Sequence, residues 1–169
     1  PLPGEDTMSS LTRRLWNLLE ENGFEQYEVS NFAKAGHRCR HNESYWRHEP
    51  YLGLGCAAHS YLEGKRWANV RDIRRYCAMV DEKVFPREFA ETIDAEKFAT
   101  EILFLGLRTV EGIDEERFEK KCGKPFGDFV NIDRLRDFAA RGFLSENRPL
   151  WEPTKQGLLF ADAIARELC

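Results

Sequence analysis

TMSSLTRRLWNLLEENGFEQYEVS, residues 7–30, reads as a helix running directly into a strand. Leu11, Leu15, Leu18 and Leu19 fall on one helical stripe, Thr7 or Asp6 is placed to cap it, and Gly23 stops it. FEQYEVS (24–30) mixes aromatic, β-branched and alternating polar residues, which is strand chemistry. A helix followed at once by a strand is an α/β unit, so the expected fold class is α/β.

Beyond that unit, residues 31–50 (NFAKAGHRCRHNESYWRHEP) show no clean period and contain Gly36 and Pro50, so they read as a long loop with at most a helical turn. YLGLGCAA (51–58) is a continuously apolar run with two glycines, which reads as a buried strand of a parallel sheet; the glycines would let another backbone or a ligand approach. SYLEGKRWANV (60–70) is a hairpin turning at Glu63-Gly64, and RDIRRYCAMVDEK (71–83) a helix with Ile73, Tyr76 and Val80 inward. Pro86 marks a boundary between a domain at 1–84 and a second at 86–169.

The second domain carries helices at 92–109, 112–123 and 126–142, the last stopped by Gly142. A hairpin follows at 143–153, turning at Asn147-Arg148-Pro149, and then a final helix capped by Thr154. Three helices, a hairpin and a helix form a small, helical, winged-helix-like arrangement.

With 169 residues, 42% of them hydrophobic and 12% aromatic, the chain can bury one good core or two small ones. No run approaches the roughly 18 apolar residues of a membrane span, and PLPGEDTMSS lacks the basic start and apolar stretch of a secretory signal. Beginning at Pro1 rather than Met, the chain reads as a piece of something longer. Its five cysteines, at 39, 56, 77, 122 and 169, are scattered with no CxxC, a reduced and cytoplasmic pattern. Zinc fingers and complete iron–sulfur sites need clustered thiolates, which this spacing does not supply.

Net charge is −4, yet residues 27–75 hold nine Lys and Arg against five Asp and Glu. A basic segment in an acidic chain suits a small anionic ligand better than nucleic acid, although charge alone is more simply explained by a solvated surface with no ligand. The candidate recognition helix at 126–142 balances Arg134, Arg136 and Arg141 against Asp128, Asp133 and Asp137, so it lacks the basic face duplex DNA demands, and no nucleic-acid partner is expected.

Within the basic segment, His37, Cys39 and His41 alternate and would share one side of an extended chain, a possible metal cluster. His41-Asn42 with Tyr45-Trp46 is more specific. The aromatics supply flat, partly polar surfaces, Arg38, Arg40 and Arg47 are forked carboxylate donors, and His41 offers an imidazole able to ligate iron. Those parts match a porphyrin with propionates. Residues that merely anchor a loop would look the same.

YEVSNFAKAGHRCRHNESYW followed by YLGLGCAAHS resembles the HemW haem chaperones, relatives of oxygen-independent coproporphyrinogen III oxidase in the radical S-adenosylmethionine superfamily. The resemblance runs from PLPGEDTM through NVRDIRRY into FLGLRTVEGID and TKQGLLFAD, covering essentially the whole chain. It implies a haem site at His41, Asn42, Tyr45, Trp46 and Arg40, with His41 on the iron. It also implies that residues 1–84 are the last strands and helices of a truncated radical SAM barrel, and 86–169 a HemN-type C-terminal domain. The family's CxxxCxxC motif for a four-iron four-sulfur cluster is missing, so cluster and S-adenosylmethionine belong to a full-length parent and the chain alone should be inactive. Ala57 departs from the family, which often has glycine there. The implied function is haem binding and delivery to haem-accepting proteins. The alternatives are decarboxylation of coproporphyrinogen III and, from another class, a winged-helix interaction module. A strand at 24–30 cut from its barrel neighbour would leave an open edge, so self-association is expected.

Overall fold

The computed structural model describes residues 3–168. Eight helices and eight short strands alternate along them: α1 (Glu5–Glu21), β1 (Glu25–Gln26), β2 (Phe32–Ala33), α2 (Arg40–Trp46), β3 (His59–Leu62), β4 (Lys65–Asn69), α3 (Ile73–Asp81), β5 (Arg87–Thr92), α4 (Ala95–Gly106), β6 (Ile113–Asp114), α5 (Glu115–Cys122), α6 (Ile132–Ala140), β7 (Leu144–Asn147), β8 (Leu150–Pro153), α7 (Lys155–Leu159) and α8 (Ala161–Leu168). The α/β class is therefore right. By packing, the chain divides into one unit of residues 1–47 with 99–169 and another of residues 48–98. That division differs from a boundary at Pro86, because β5 pairs with β4 and ties residues 87–92 to the sheet before them.

The larger unit owes its stability to a core of Leu103, Leu107, Ile113, Phe118, Phe126, Val130, Leu135, Phe138, Leu144, Trp151 and Ile164. Burial of each large side chain contributes about 1.5–3 kcal/mol. Phe118 meets Phe126 and Phe129 edge to face, at 5.2 and 5.5 Å between ring centroids. Its sheet has the order β6-β8-β7, all antiparallel. Gly112 sits at φ 68°, and a Cβ there would lie 2.1 Å from the Trp151 carbonyl oxygen, so only glycine lets the turn after α4 lie against β8. The expected helix at 126–142 is instead a 3-10 turn (Phe126–Asp128) followed by α6, because Asn131 caps a new helix, accepting from the amides of Asp133 and Arg134. Likewise the final helix breaks at Phe160 into α7 and α8, with Thr154 capping α7 as expected.

FEQYEVS forms only the two-residue β1, paired with β2. Its remainder is fastened to the turn after α4: the Val29 amide donates to the Arg108 carbonyl at 2.9 Å and the Val110 amide to the Tyr27 carbonyl at 3.3 Å. In α1 the leucine stripe largely faces solvent, with Leu11, Leu15 and Leu18 each about half exposed. Trp16 is the residue that α1 buries.

In the smaller unit β3, β4 and β5 form an antiparallel sheet, with the β3–β4 hairpin turning at Glu63-Gly64 as expected. YLGLGCAA is not a parallel core strand. Only Tyr51 bridges, to Tyr61, while Leu54 is 92% exposed and Gly55 takes φ 96°, values of a loop rather than a strand. Close backbone approach is real: a Cβ on Gly53 would meet the His59 carbonyl oxygen at 2.1 Å. Ala57 adopts φ 59°, a conformation that favours glycine. The helix expected at 71–83 is α3, but Ile73 and Val80 are exposed and none of its residues is buried.

Candidate functional site

The motif CRHNESYW lies largely on a helix rather than in a loop. RHNESYW contains no Gly, Pro or β-branched residue, and α2 runs its full length. Cys39 occupies the N-cap in an extended conformation and makes no side-chain cap. The Ser44 hydroxyl donates back to the His41 carbonyl at 2.8 Å, satisfying itself within the helix.

Helical spacing splits the signature. His41 and Tyr45, four residues apart, share an exposed side and meet edge to face at 4.7 Å between ring centroids. Asn42 and Trp46, also four apart, are half-buried. Trp46 forms part of the wall of a cavity of about 330 Å³ whose other walls include Tyr27, Ile113, Phe118 and Leu150. His41, Asn42 and Tyr45 do not line that cavity. Arg40 is exposed and makes no ion pair among the described residues.

Arg38 and Arg47, read from the sequence as forked carboxylate donors, are engaged by carboxylates of the chain itself. Both reach Glu111 Oε1, at 3.1 and 3.4 Å, and both approach Glu43, at 3.8 and 3.5 Å. Arg38 also lies over the ring of buried Tyr27, 5.7 Å from its centroid. Lys121, in the last turn of α5, donates to the Arg47 carbonyl at the end of α2. Beside it, burial pushes the Cys122 thiol above its ordinary value, opposed in part by the Lys121 charge. Glu111 and Lys121 carry no local motif, and nothing within reading distance of HNESYW points to them.

The alternation of His37, Cys39 and His41 does not assemble a metal site. The His37 ring bonds the Ala35 carbonyl, Cys39 is an N-cap and His41 sits inside the helix. Among the described residues no three His, Cys, Asp or Glu side chains are grouped as a metal ion would require. The four described cysteines stand apart as free thiols, so they do not fit an iron–sulfur cluster. Also among the described residues, no helix is long and apolar enough to cross a membrane.

The HemN C-terminal domain family matches residues 93–160. The "Heme chaperone HemW" of Bacillus subtilis is 34% identical over 96% of this chain and 43% of its own length. That of Escherichia coli is 29% identical over 96% and 43%. The solved structure of coproporphyrinogen III oxidase (HemN) from Escherichia coli, described as a radical SAM enzyme, superposes with a TM-score of 0.76 over 98% of this chain and 41% of its own, at 16% identity, a likeness of fold. The class is thus an α/β protein with a HemN-type C-terminal domain. Within that class, residues 93–160 belong to the HemN C-terminal domain family and the chain as a whole is related to the HemW proteins. It spans about two fifths of the length of the relatives it matches.

Proposed function

We propose that the protein binds haem on α2 and delivers it to haem-accepting proteins. The observation that carries this reading is the exposed His41–Tyr45 pair on a helix built from HNESYW, in a chain related to proteins named haem chaperones. The exposed side of α2 fits the group: a solvent-accessible imidazole at His41 for the iron, the Tyr45 ring to lie along a porphyrin, and the exposed Arg40, without an ion pair among the described residues, for a propionate, while Asn42 and Trp46 on the half-buried side would support that face from behind. Haem itself would be cargo rather than a catalyst here. Titration of the full-length protein with haemin, followed at the Soret band, tests the site. A His41→Ala, Tyr45→Ala double variant should bind at least tenfold more weakly, the loss of about 1.4 kcal/mol or more; unchanged affinity sinks the assignment.

Residues 1–84 are read as the C-terminal part of a radical SAM (β/α) barrel, with the iron–sulfur cluster and S-adenosylmethionine held elsewhere in the parent. Residues 86–169 are read as a winged-helix-like domain, supported by the run α4-β6-α5-α6-β7-β8 with sheet order β6-β8-β7. No nucleic-acid partner is proposed for it: Arg136 reaches Asp133 and Glu146, Arg141 reaches Asp137, and Arg134 donates to the Glu167 carbonyl. The proposed location is the cytoplasm. Self-association of the isolated chain is supported by the half-exposed Met8, Leu11, Leu15 and Leu18 along α1. The fold likeness to the oxidase favours a second reading, decarboxylation of coproporphyrinogen III by the parent. Anaerobic incubation of the full-length protein with coproporphyrinogen III, reductant and S-adenosylmethionine decides it: protoporphyrinogen would displace the chaperone reading.

A further inference from the structure

α2 has little of its own to hold it in place. Seven residues make two turns, and isolated helices shorter than about 12–15 residues are marginal in water. No side chain caps its N-terminus, none of its residues is buried, and its last turn carries no cation. Tertiary packing of an apolar face, the usual source of helix stability, is therefore weak here.

What grips α2 comes from far along the chain. Glu111, in the turn after α4, accepts from Arg38 just before the helix and from Arg47 at its C-cap, 73 and 64 residues away. One carboxylate thus holds both ends of α2. Glu43, from within the helix, adds a second carboxylate to the same two guanidiniums. Arg38 is backed by the buried Tyr27 ring, so the grip rests on a fixed surface. Lys121 donates to the Arg47 carbonyl, placing at the helix C-terminus the positive charge that the dipole favours and that the helix lacks. The turn bearing Glu111 is itself pinned by Gly112, packed against the Trp151 carbonyl.

We propose that Glu111 is the positioning residue of the HNESYW helix, acting through Arg38 and Arg47 to fix the orientation in which His41 and Tyr45 are presented. The C-terminal domain would then control how firmly the ligand face is held. Its functional half rests on the reading of α2 as a haem site; its structural half rests on the ion-pair geometry alone.

The test compares Glu111→Ala with Glu111→Asp, which keeps the carboxylate, in the full-length protein. Amide hydrogen exchange over residues 43–47 should speed up roughly tenfold in Glu111→Ala, as expected for loss of a network of partly exposed pairs. The α6 amides should keep their rate, and Glu111→Asp should recover most of the loss. Transfer of bound haemin to excess apomyoglobin should accelerate with the same ranking of variants. Unchanged exchange over 43–47, or an equal rise in α6, overturns the proposal. So does accelerated exchange with an unchanged haemin transfer rate. If the wild-type protein binds no haemin, the haem reading fails, and with it the presentation role; the exchange data then still decide whether Glu111 holds α2.

Discussion

Glu115 is the buried charge on which the sheet behind Glu111 depends. It is 8% exposed, and its Oε1 accepts the Trp151 indole N–H at 2.7 Å while its Oε2 accepts from Arg148. Trp151 is fully buried on β8 and is the register partner of Ile113, two residues beyond Glu111. Glu115→Leu keeps the bulk but removes the acceptor. An indole N–H left without a partner in the core costs about 1–3 kcal/mol. Loss of the half-exposed Arg148 pair adds at most about 1 kcal/mol, for a total of about 1–4 kcal/mol. Glu115→Gln retains a carbonyl oxygen for the indole and should cost only about 1 kcal/mol. For a chain of this size each kcal/mol moves the melting temperature by about 2–4 °C, so the two variants should differ by several degrees. Urea unfolding followed by circular dichroism, with an unchanged slope, gives the free energies. Equal losses for Leu and Gln would refute the reasoning, because the indole hydrogen bond is the only term that separates them.

Two further outcomes follow from backbone and charge. Ala57 holds φ 59°, so Ala57→Gly should stabilise the protein by about 0.5–1 kcal/mol, relief of left-handed strain partly offset by a freer unfolded chain; a loss of stability in the same urea experiment would show that the loop is not strained. Hydrogen bonds from Lys97 and then Arg66 hold the Glu91 carboxyl below its ordinary value of 4.5. Its contribution to folding is therefore fully present above that value and is lost as pH falls through the lower native one, and Glu91→Gln should flatten this part of the acid-unfolding limb. A Glu91 carboxyl titrating at its ordinary value by carbon-detected NMR would contradict this.

Local chemistry made much of the chain legible. Gly23 after the leucine-bearing helix, the Glu63-Gly64 turn, the hairpin at 143–153 and the Thr154 cap all follow from single residues acting on their neighbours. The α/β class needed nothing more. The misreadings share a cause. YLGLGCAA and Ile73 and Val80 were assigned to a core because they are apolar, and apolar character does not say which partner surface is present. The long helix at 126–142 ignored how well Asn131 serves as a fresh cap.

Residue spacing by itself determined that His41 and Tyr45 would share one side of the helix, and Asn42 and Trp46 another, once the segment became helical. Only the tertiary structure decided that α2 forms and which way it faces. Its two turns cannot persist on propensity, and the carboxylate and ammonium that brace it, on Glu111 and Lys121, arrive from 64 to 74 residues away. Coulomb attraction and hydrogen bonding act through space, so no periodicity in the sequence records them.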